Sequence, residues 1–297
     1  MILVAGATGN VGAELVRVLA ATGGPVRALS RRPGSAALPA GVTSVRGDLN
    51  DPDSLADALN GARGMFVLSG YRDMPGLLRR AREAGVPQVV LLSGSSAGAQ
   101  DLDNAISRYM VASEAAVRES GLAWTILRPV SFMSNTLQWA DRLRSGDVVR
   151  VPFADVAVAP IDPCDIAAVA GEALLSDGHG GRVYALTGPE SLRPADRVQV
   201  LGSVLGRELR CVGQTDAEAR AEMSAAMPSQ YVDAFFRFFA DGMLDESAVL
   251  PTVAELTGRP PRTFPAMGGR TRRRIHVMPD CLLIVVATSR LPSGVRT

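Results

Sequence analysis

The chain has 297 residues, 47% hydrophobic and 21% charged, enough to bury one large core and a smaller lobe. Its formal net charge of +1 gives no global field of the kind that marks a nucleic-acid binder, and no apolar run is long enough to span a bilayer. Cys164, Cys211 and Cys281 show neither disulfide nor zinc spacing, no metal-ligand constellation is visible, and a reducing, cytoplasmic setting is the default expectation. Every basic residue is an arginine, which excludes a Schiff base or any step that needs a lysine ammonium.

The opening apolar run at 2–5 is too short for a signal-peptide core and reads as a buried strand. Short β-like runs follow at 26–29, 42–46, 65–69, 88–93 and 123–128, with helical patterns at 10–21, 52–60, 74–84, 104–120 and 131–144. This alternation predicts an α/β fold: a doubly wound, mainly parallel Rossmann sheet over residues 1–150. From about 150 the rhythm changes. Strands are expected at 148–151, 156–159 and 183–186, and helices at 195–205, at 216–242 with a break near Pro228, and at 250–257. Asp162 is placed to cap a helix whose first turn holds Pro163, with Asp165 adding charge at its positive end. Residues 151–265 are expected to form a smaller C-terminal α+β lobe on the substrate side. The tail over 266–297 carries Arg270-Thr271-Arg272-Arg273-Arg274 and an apolar stretch at 282–287; a solvated, poorly ordered basic tail is expected rather than a nucleic-acid contact.

Gly6-Ala7-Thr8-Gly9-Asn10-Val11-Gly12 follows the first strand directly and opens the first helix. Gly6 permits a tight turn, Gly9 lets backbone approach a pyrophosphate, and Gly12 lets helix and strand pack closely. The pyrophosphate of a dinucleotide then meets free N–H groups at a helix N-terminus. After the second strand, where an NAD site places an acid, the chain has Ser30-Arg31-Arg32. Two guanidiniums there suit a 2′-phosphate, so NADP(H) is expected in preference to NAD(H); the alternative is a solvated loop. Asp48 and Leu49 follow the third strand. Asp48 either accepts from an adenine amino group, with Leu49 covering the ring, or caps a local turn. Leu68-Ser69-Gly70, Ser93-Gly94-Ser95 and Pro129 end the fourth, fifth and sixth strands and are expected along the cofactor channel.

The segments GATGNVG, SRRP, GDLNDPDSL, VVLLSG, WTILRPVSFMSN, PIDPCDIAAVA, YALTGPESL, LGREL and QYVDAFFRFFADGML together resemble the NmrA-like branch of the atypical short-chain dehydrogenases, over roughly residues 1–265. The resemblance implies NAD(P)H binding and one of two roles. Some members of the branch reduce quinones, azo compounds or triphenylmethane dyes with NADPH. Others bind NADP without turnover and act as redox sensors for a regulatory protein partner.

Ordinary short-chain dehydrogenases use a Tyr-x-x-x-Lys pair; here Tyr109 is followed by Ser113 at the lysine position. Tyr109 either donates a hydrogen bond to a substrate oxygen or packs on its helix. Glu114 stands where the branch often has a glutamate. After the sixth strand, Phe132, Met133, Asn135 and Trp139 either wall a pocket for a planar ring or pack in the core. His179 and His276 do not fit a general base. Without the dyad, hydride transfer is best suited to a small planar electron acceptor such as a quinone, which needs stacking and orientation more than a strong acid. The expected protein is therefore an NADPH-dependent oxidoreductase or a non-catalytic NADP(H) sensor, with no membrane or nucleic-acid partner; a homodimer is compatible with the sequence.

Overall fold

The first strand, β1 (Ile2–Val4), is apolar at every position and buried on both faces, which calls for a central place in a sheet covered on both sides. The structure, a computed structural model, describes residues 1–34 and 37–267; the arginine cluster at 270–274, His276, Cys281 and the stretch at 282–287 lie outside the described residues. After β1 come α1 (Asn10–Ala21), β2 (Val26–Ser30), β3 (Val42–Arg46) and a 3-10 turn running into α2 (Ala56–Leu59). Then follow β4 (Gly64–Leu68), α3 (Met74–Glu83), β5 (Gln88–Leu92), α4 (Ala105–Glu119) and β6 (Ala123–Pro129). Beyond them lie α5 (Ala140–Ser145), β7 (Val148–Val151), α6 (Pro163–Leu175) and β8 (Arg182–Leu186).

Seven described strands pair in the order β3-β2-β1-β4-β5-β6-β8, every pair parallel. This is the doubly wound α/β fold that the strand–helix alternation predicts. The strand order reverses between β1 and β4, and the loops at their carboxyl ends part to leave a crevice. α1 lies beside α6, and α3 beside α4. The apolar positions of α1, Val11, Leu15, Val16 and Leu19, recur at helical spacing and are all buried.

Beyond residue 150 the chain first returns to the large sheet, through α6 and β8. Asp162 caps α6 as expected, its carboxylate accepting the Cys164 N–H at 2.8 Å, with Pro163 in the first turn. Asp165 is buried there; it accepts the Arg262 N–H at 2.7 Å and pairs with the Arg262 guanidinium. Burial raises the Asp165 pKa, and Arg262 opposes the rise. Arg262→Ala removes the guanidinium and leaves this carboxylate the backbone N–H, and is expected to cost about 2 kcal/mol, read from the urea midpoint. A loss below about 1 kcal/mol would show that the carboxylate is satisfied without the arginine.

The rest of the chain forms α7 (Pro194–Leu205), β9 (Arg210–Gly213), α8 (Asp216–Ala226), α9 (Ser229–Phe239) and α10 (Thr252–Thr257). α8 and α9 part at Pro228, where the sequence predicts the break. β9 is an unanticipated strand; it pairs parallel with β7 in a separate two-stranded sheet. The strand expected at 156–159 does not form. Val158 and Leu192 exchange bonds of 3.1 and 2.7 Å as an isolated bridge, and Pro160 has no N–H to extend a ladder. The helix expected at 131–144 starts as a 3-10 stretch, Met133–Trp139, before α5. Among the described residues no helix is long and apolar enough to cross a membrane.

Candidate functional site

Gly6 leaves β1 at φ +62°, and its carbonyl accepts the Gly9 N–H at 2.8 Å, closing a tight turn. Gly12 lies in the first turn of α1, where a Cβ would stand 2.1 Å from the Gly6 carbonyl oxygen. The helix can approach the turn this closely only because no side chain intervenes. No side chain caps α1, and its first turn holds no acid. Its leading N–H groups and the positive end of its dipole therefore stand without a side-chain partner where Gly9, Asn10 and Val11 border the cleft. Within the turn Ala7 is buried and Thr8 exposed, and the Asn10 amide donates to Ser134 Oγ at 3.2 Å.

At the end of β2 the Ser30 hydroxyl accepts the Arg32 N–H at 3.1 Å. Arg31 and Arg32 are exposed, and neither guanidinium has a hydrogen-bond or ion-pair partner among the described residues. The Asp48 carboxylate accepts the Asn50 N–H at 3.0 Å, which is the turn-capping arrangement, and Leu49 is buried in the main core. Burial raises the Tyr71 phenol above its ordinary pKa; Asp48 adds to the rise and Arg31 opposes it. Arg31, Asp48 and Tyr71 thus share one neighbourhood. Ser69 and Gly70 are committed beneath the crevice: Ser69 Oγ donates to the Leu92 carbonyl at 3.1 Å, and the Gly70 N–H donates to Ser113 Oγ at 3.0 Å.

A cleft enclosing about 1060 Å³, part of it open to solvent, runs from the glycine turn across the ends of the central strands to α9. Gly6, Gly9, Asn10, Val11 and Gly12 line one end, and Leu68, Ser93, Gly94 and Pro129 the middle. Tyr109, Phe132 and Asn135 line it too, together with Phe235, Phe238 and Phe239 of α9. Met133 and Trp139, expected beside Phe132, are not at this wall. In a 3-10 stretch every third side chain shares one side, so Met133, Thr136 and Trp139 all turn inward and are buried. Met133 and Trp139 pack there with Leu143, Val149, Val151 and Phe264 in a second core, while Phe132 and Asn135 reach the cleft.

The α9 phenylalanines were not singled out from the sequence, although their signal is present. Tyr231, Phe235, Phe238 and Phe239 recur at helical spacing and meet Ile106 and Tyr109 of α4. Val232 and Phe236 lie on the other face and pack on Ala219; Phe236 also meets the Phe153 ring at 5.0 Å between centroids.

The Tyr109 hydroxyl is buried with no hydrogen-bond partner. Burial raises its pKa, with a smaller push from Tyr231. Ser113, at the position of the dyad lysine, accepts from Gly70 and donates to the Tyr109 carbonyl at 2.7 Å, so it ties α4 to the loop after β4. Glu114 is 1% exposed. It accepts two bonds from Arg128, at 2.8 and 2.7 Å, one from Arg118 at 2.9 Å and one from Ser93 at 2.7 Å. This clamp joins α4 to the ends of β5 and β6. Glu246 went unnoticed in the sequence. Its carboxylate, in the segment after α9, accepts from the Ser95 and Ser131 hydroxyls and from the Ser131 N–H at 3.0 Å. Those serines lie 151 and 115 residues away, so no local pattern could have paired them.

A profile of proteins described as NAD(P)H-binding matches residues 6–174. The (4-alkanoyl-5-oxo-2,5-dihydrofuran-3-yl)methyl phosphate reductase of Streptomyces griseus subsp. griseus is 42% identical over 269 residues, spanning 89% of this chain and 95% of the relative. The NAD(P)H azoreductase of Xenophilus azovorans is 38% identical over 273 residues, with the same 89% and 95% coverage. In fold, the chain is similar to the NADPH-dependent quinone oxidoreductase of Escherichia coli, with a TM-score of 0.75 at 24% identity over 92% of this chain and 100% of that one.

Proposed function

The chain belongs to the NAD(P)H-binding family, among NAD(P)H-dependent reductases, and from that premise we propose that it uses NADPH in preference to NADH to reduce a quinone or another conjugated planar acceptor. The observation that carries the reading is the cleft, in which a glycine turn at an uncapped helix end opens onto an aromatic wall of Phe132, Phe235, Phe238 and Phe239. The glycine turn and the aromatic wall border one continuous cleft, so a cofactor ring and a flat acceptor would lie side by side in it. The azoreductase relative supports a conjugated acceptor.

The N–H groups opening α1 would hold the pyrophosphate, and the unpartnered guanidiniums of Arg31 and Arg32 would hold the 2′-phosphate through charge-assisted bonds. The bound cofactor supplies a hydride. The chain's own residues stack the acceptor and offer Tyr109 Oη, which has no partner among the described residues, as a hydrogen-bond donor to an acceptor oxygen. With its pKa raised by burial, the phenol stays protonated at neutral pH. It donates without giving up its proton, which suffices where the developing charge is delocalised. The completing proton comes from solvent. Residues 151–265 supply the acceptor side through α9 and the segment leading to Glu246, while α6 and β8 within the same stretch complete the large sheet.

The test is NADPH oxidation against a panel of benzoquinones and naphthoquinones, with the double variant Arg31→Ala/Arg32→Ala alongside. Turnover is expected, with the KM for NADPH at least about tenfold higher in the variant and kcat nearly unchanged, as loss of uniform binding requires. NADH kinetics should barely move. Normal NADPH binding with no turnover of any acceptor would instead favour a non-catalytic NADP(H) sensor. Equal effects of the double variant on NADPH and NADH would remove the phosphate role.

A further inference from the structure

We infer that Glu246 makes the acceptor end of the cleft selective for charge, favouring cationic and neutral planar acceptors over anionic ones; this rests on the reductase reading above. Among the described residues lining the cleft, Glu246 is the only charged one. It is 7% exposed, and all of its hydrogen-bond partners are neutral: the Ser95 hydroxyl, the Ser131 hydroxyl and the Ser131 N–H. Neutral donors orient a carboxylate and leave its full negative charge in place.

The neighbouring cations stand behind the lining rather than in the cleft. Behind Ser93, Arg128 and Arg118 are both held on Glu114. Arg197 feels the field of Glu246, but its guanidinium sits over the Trp139 ring at 5.6 Å from the centroid, and no hydrogen bond or ion pair joins the two. The lining beside it is mostly aromatic and aliphatic, from Phe132, Phe235, Phe238, Phe239 and Leu244, with Tyr109 and the serines as polar exceptions. Beside such a wall a fixed charge is screened less than on an open surface. An acceptor bringing a sulfonate or carboxylate into this space meets repulsion with no cation among the described lining residues to relieve it. One bringing a quaternary ammonium or a delocalised cation is attracted and also stacks on the rings. The serine pair fixes where the charge sits, because Ser95 follows β5 and Ser131 follows β6, so the carboxylate is locked to the sheet rather than free on a loop.

The experiment uses the full chain, without cofactor for the binding arm, and three 1,4-naphthoquinones alike except for one substituent: methyl, trimethylammoniomethyl or sulfonate. Dissociation constants come from equilibrium dialysis, and kcat/KM from NADPH oxidation. In the wild type the cationic quinone should bind at least about tenfold more tightly than the anionic one. Glu246→Gln should shrink that ratio to within about threefold, chiefly by admitting the sulfonate, while Glu246→Asp and Ser131→Ala, which keep the charge, should preserve its direction. A wild-type ratio near one overturns the inference without any variant. So does a ratio unchanged in a Glu246→Gln protein with a wild-type thermal midpoint, or one lost equally in Ser131→Ala. Failure of the reductase reading is separable: all three quinones would then bind with the expected ratios while none oxidised NADPH.

Discussion

Replacing Glu114 by alanine should lower stability by about 3 kcal/mol, among the largest effects of any single substitution in this chain. The carboxylate is buried and holds Arg128, Arg118 and Ser93 at once, so truncation strands an oriented guanidinium and frees the junction of α4, β5 and β6. The lower end of the range for broken buried pairs applies, because Arg128 and Arg118 keep 23% and 38% of their side-chain surface in contact with water. Urea denaturation measures the loss directly. Because Ser93 also lines the cleft, NADPH affinity should weaken in parallel.

The same clamp gives a pH signature. Burial alone would raise the Glu114 pKa; the bonds from Arg128, Ser93 and Arg118 outweigh burial and hold it below its ordinary value. A carboxylate whose folded pKa lies below its unfolded one, about 4.3, contributes fully above that value and loses its contribution as pH falls through the folded pKa. The stability gap between wild type and Glu114→Gln should therefore be flat from neutral pH to about 5 and close below about 4. A gap that persisted unchanged to about pH 3 would mean that the ionised form is not what the clamp recognises.

Gly12→Ala is the second large effect. The new Cβ would lie 2.1 Å from the Gly6 oxygen, 2.6 Å from the Gly6 carbonyl carbon and 3.1 Å from the Ala5 oxygen. All three atoms are backbone, so no rotamer relieves the clash and α1 must move away from β1. Overpacking of this kind costs about 2–3 kcal/mol. Displacing the helix also misaligns the N–H groups proposed to grip the pyrophosphate, and NADPH affinity should fall at least about tenfold. Fluorescence titration of NADPH together with a thermal midpoint checks both. Unaltered affinity in a destabilised protein would separate the close packing from cofactor binding.

Much of the scaffold was legible because its causes are local. The period of apolar residues distinguishes β1–β6 from the helices between them, and the alternation itself dictates parallel pairing and a doubly wound sheet. Gly6 and Gly12 could be assigned roles because a turn and a close helix approach demand glycine wherever they occur. The cap at Asp162 and the break at Pro228 rest on equally local chemistry. The aromatic side of the cleft was not legible, because its residues acquire their places from distant partners. Met133 and Trp139 are as apolar as Phe132, and only the three-residue period of a 3-10 stretch sends them to the second core and Phe132 to the cleft. β9 is a strand because β7 offers it an edge. Glu246 is one acid among many along the chain; it becomes the charge of the cleft when the segment after α9 folds over the ends of β5 and β6 and burial strips its carboxylate of water. Sequence determined most of the elements of the large sheet and where the glycine turn lies, because those follow from neighbours a few residues apart. Tertiary structure alone decided which side chains face the cleft and which charge is left there, because burial is settled by whatever packs opposite, and here that lies more than a hundred residues away.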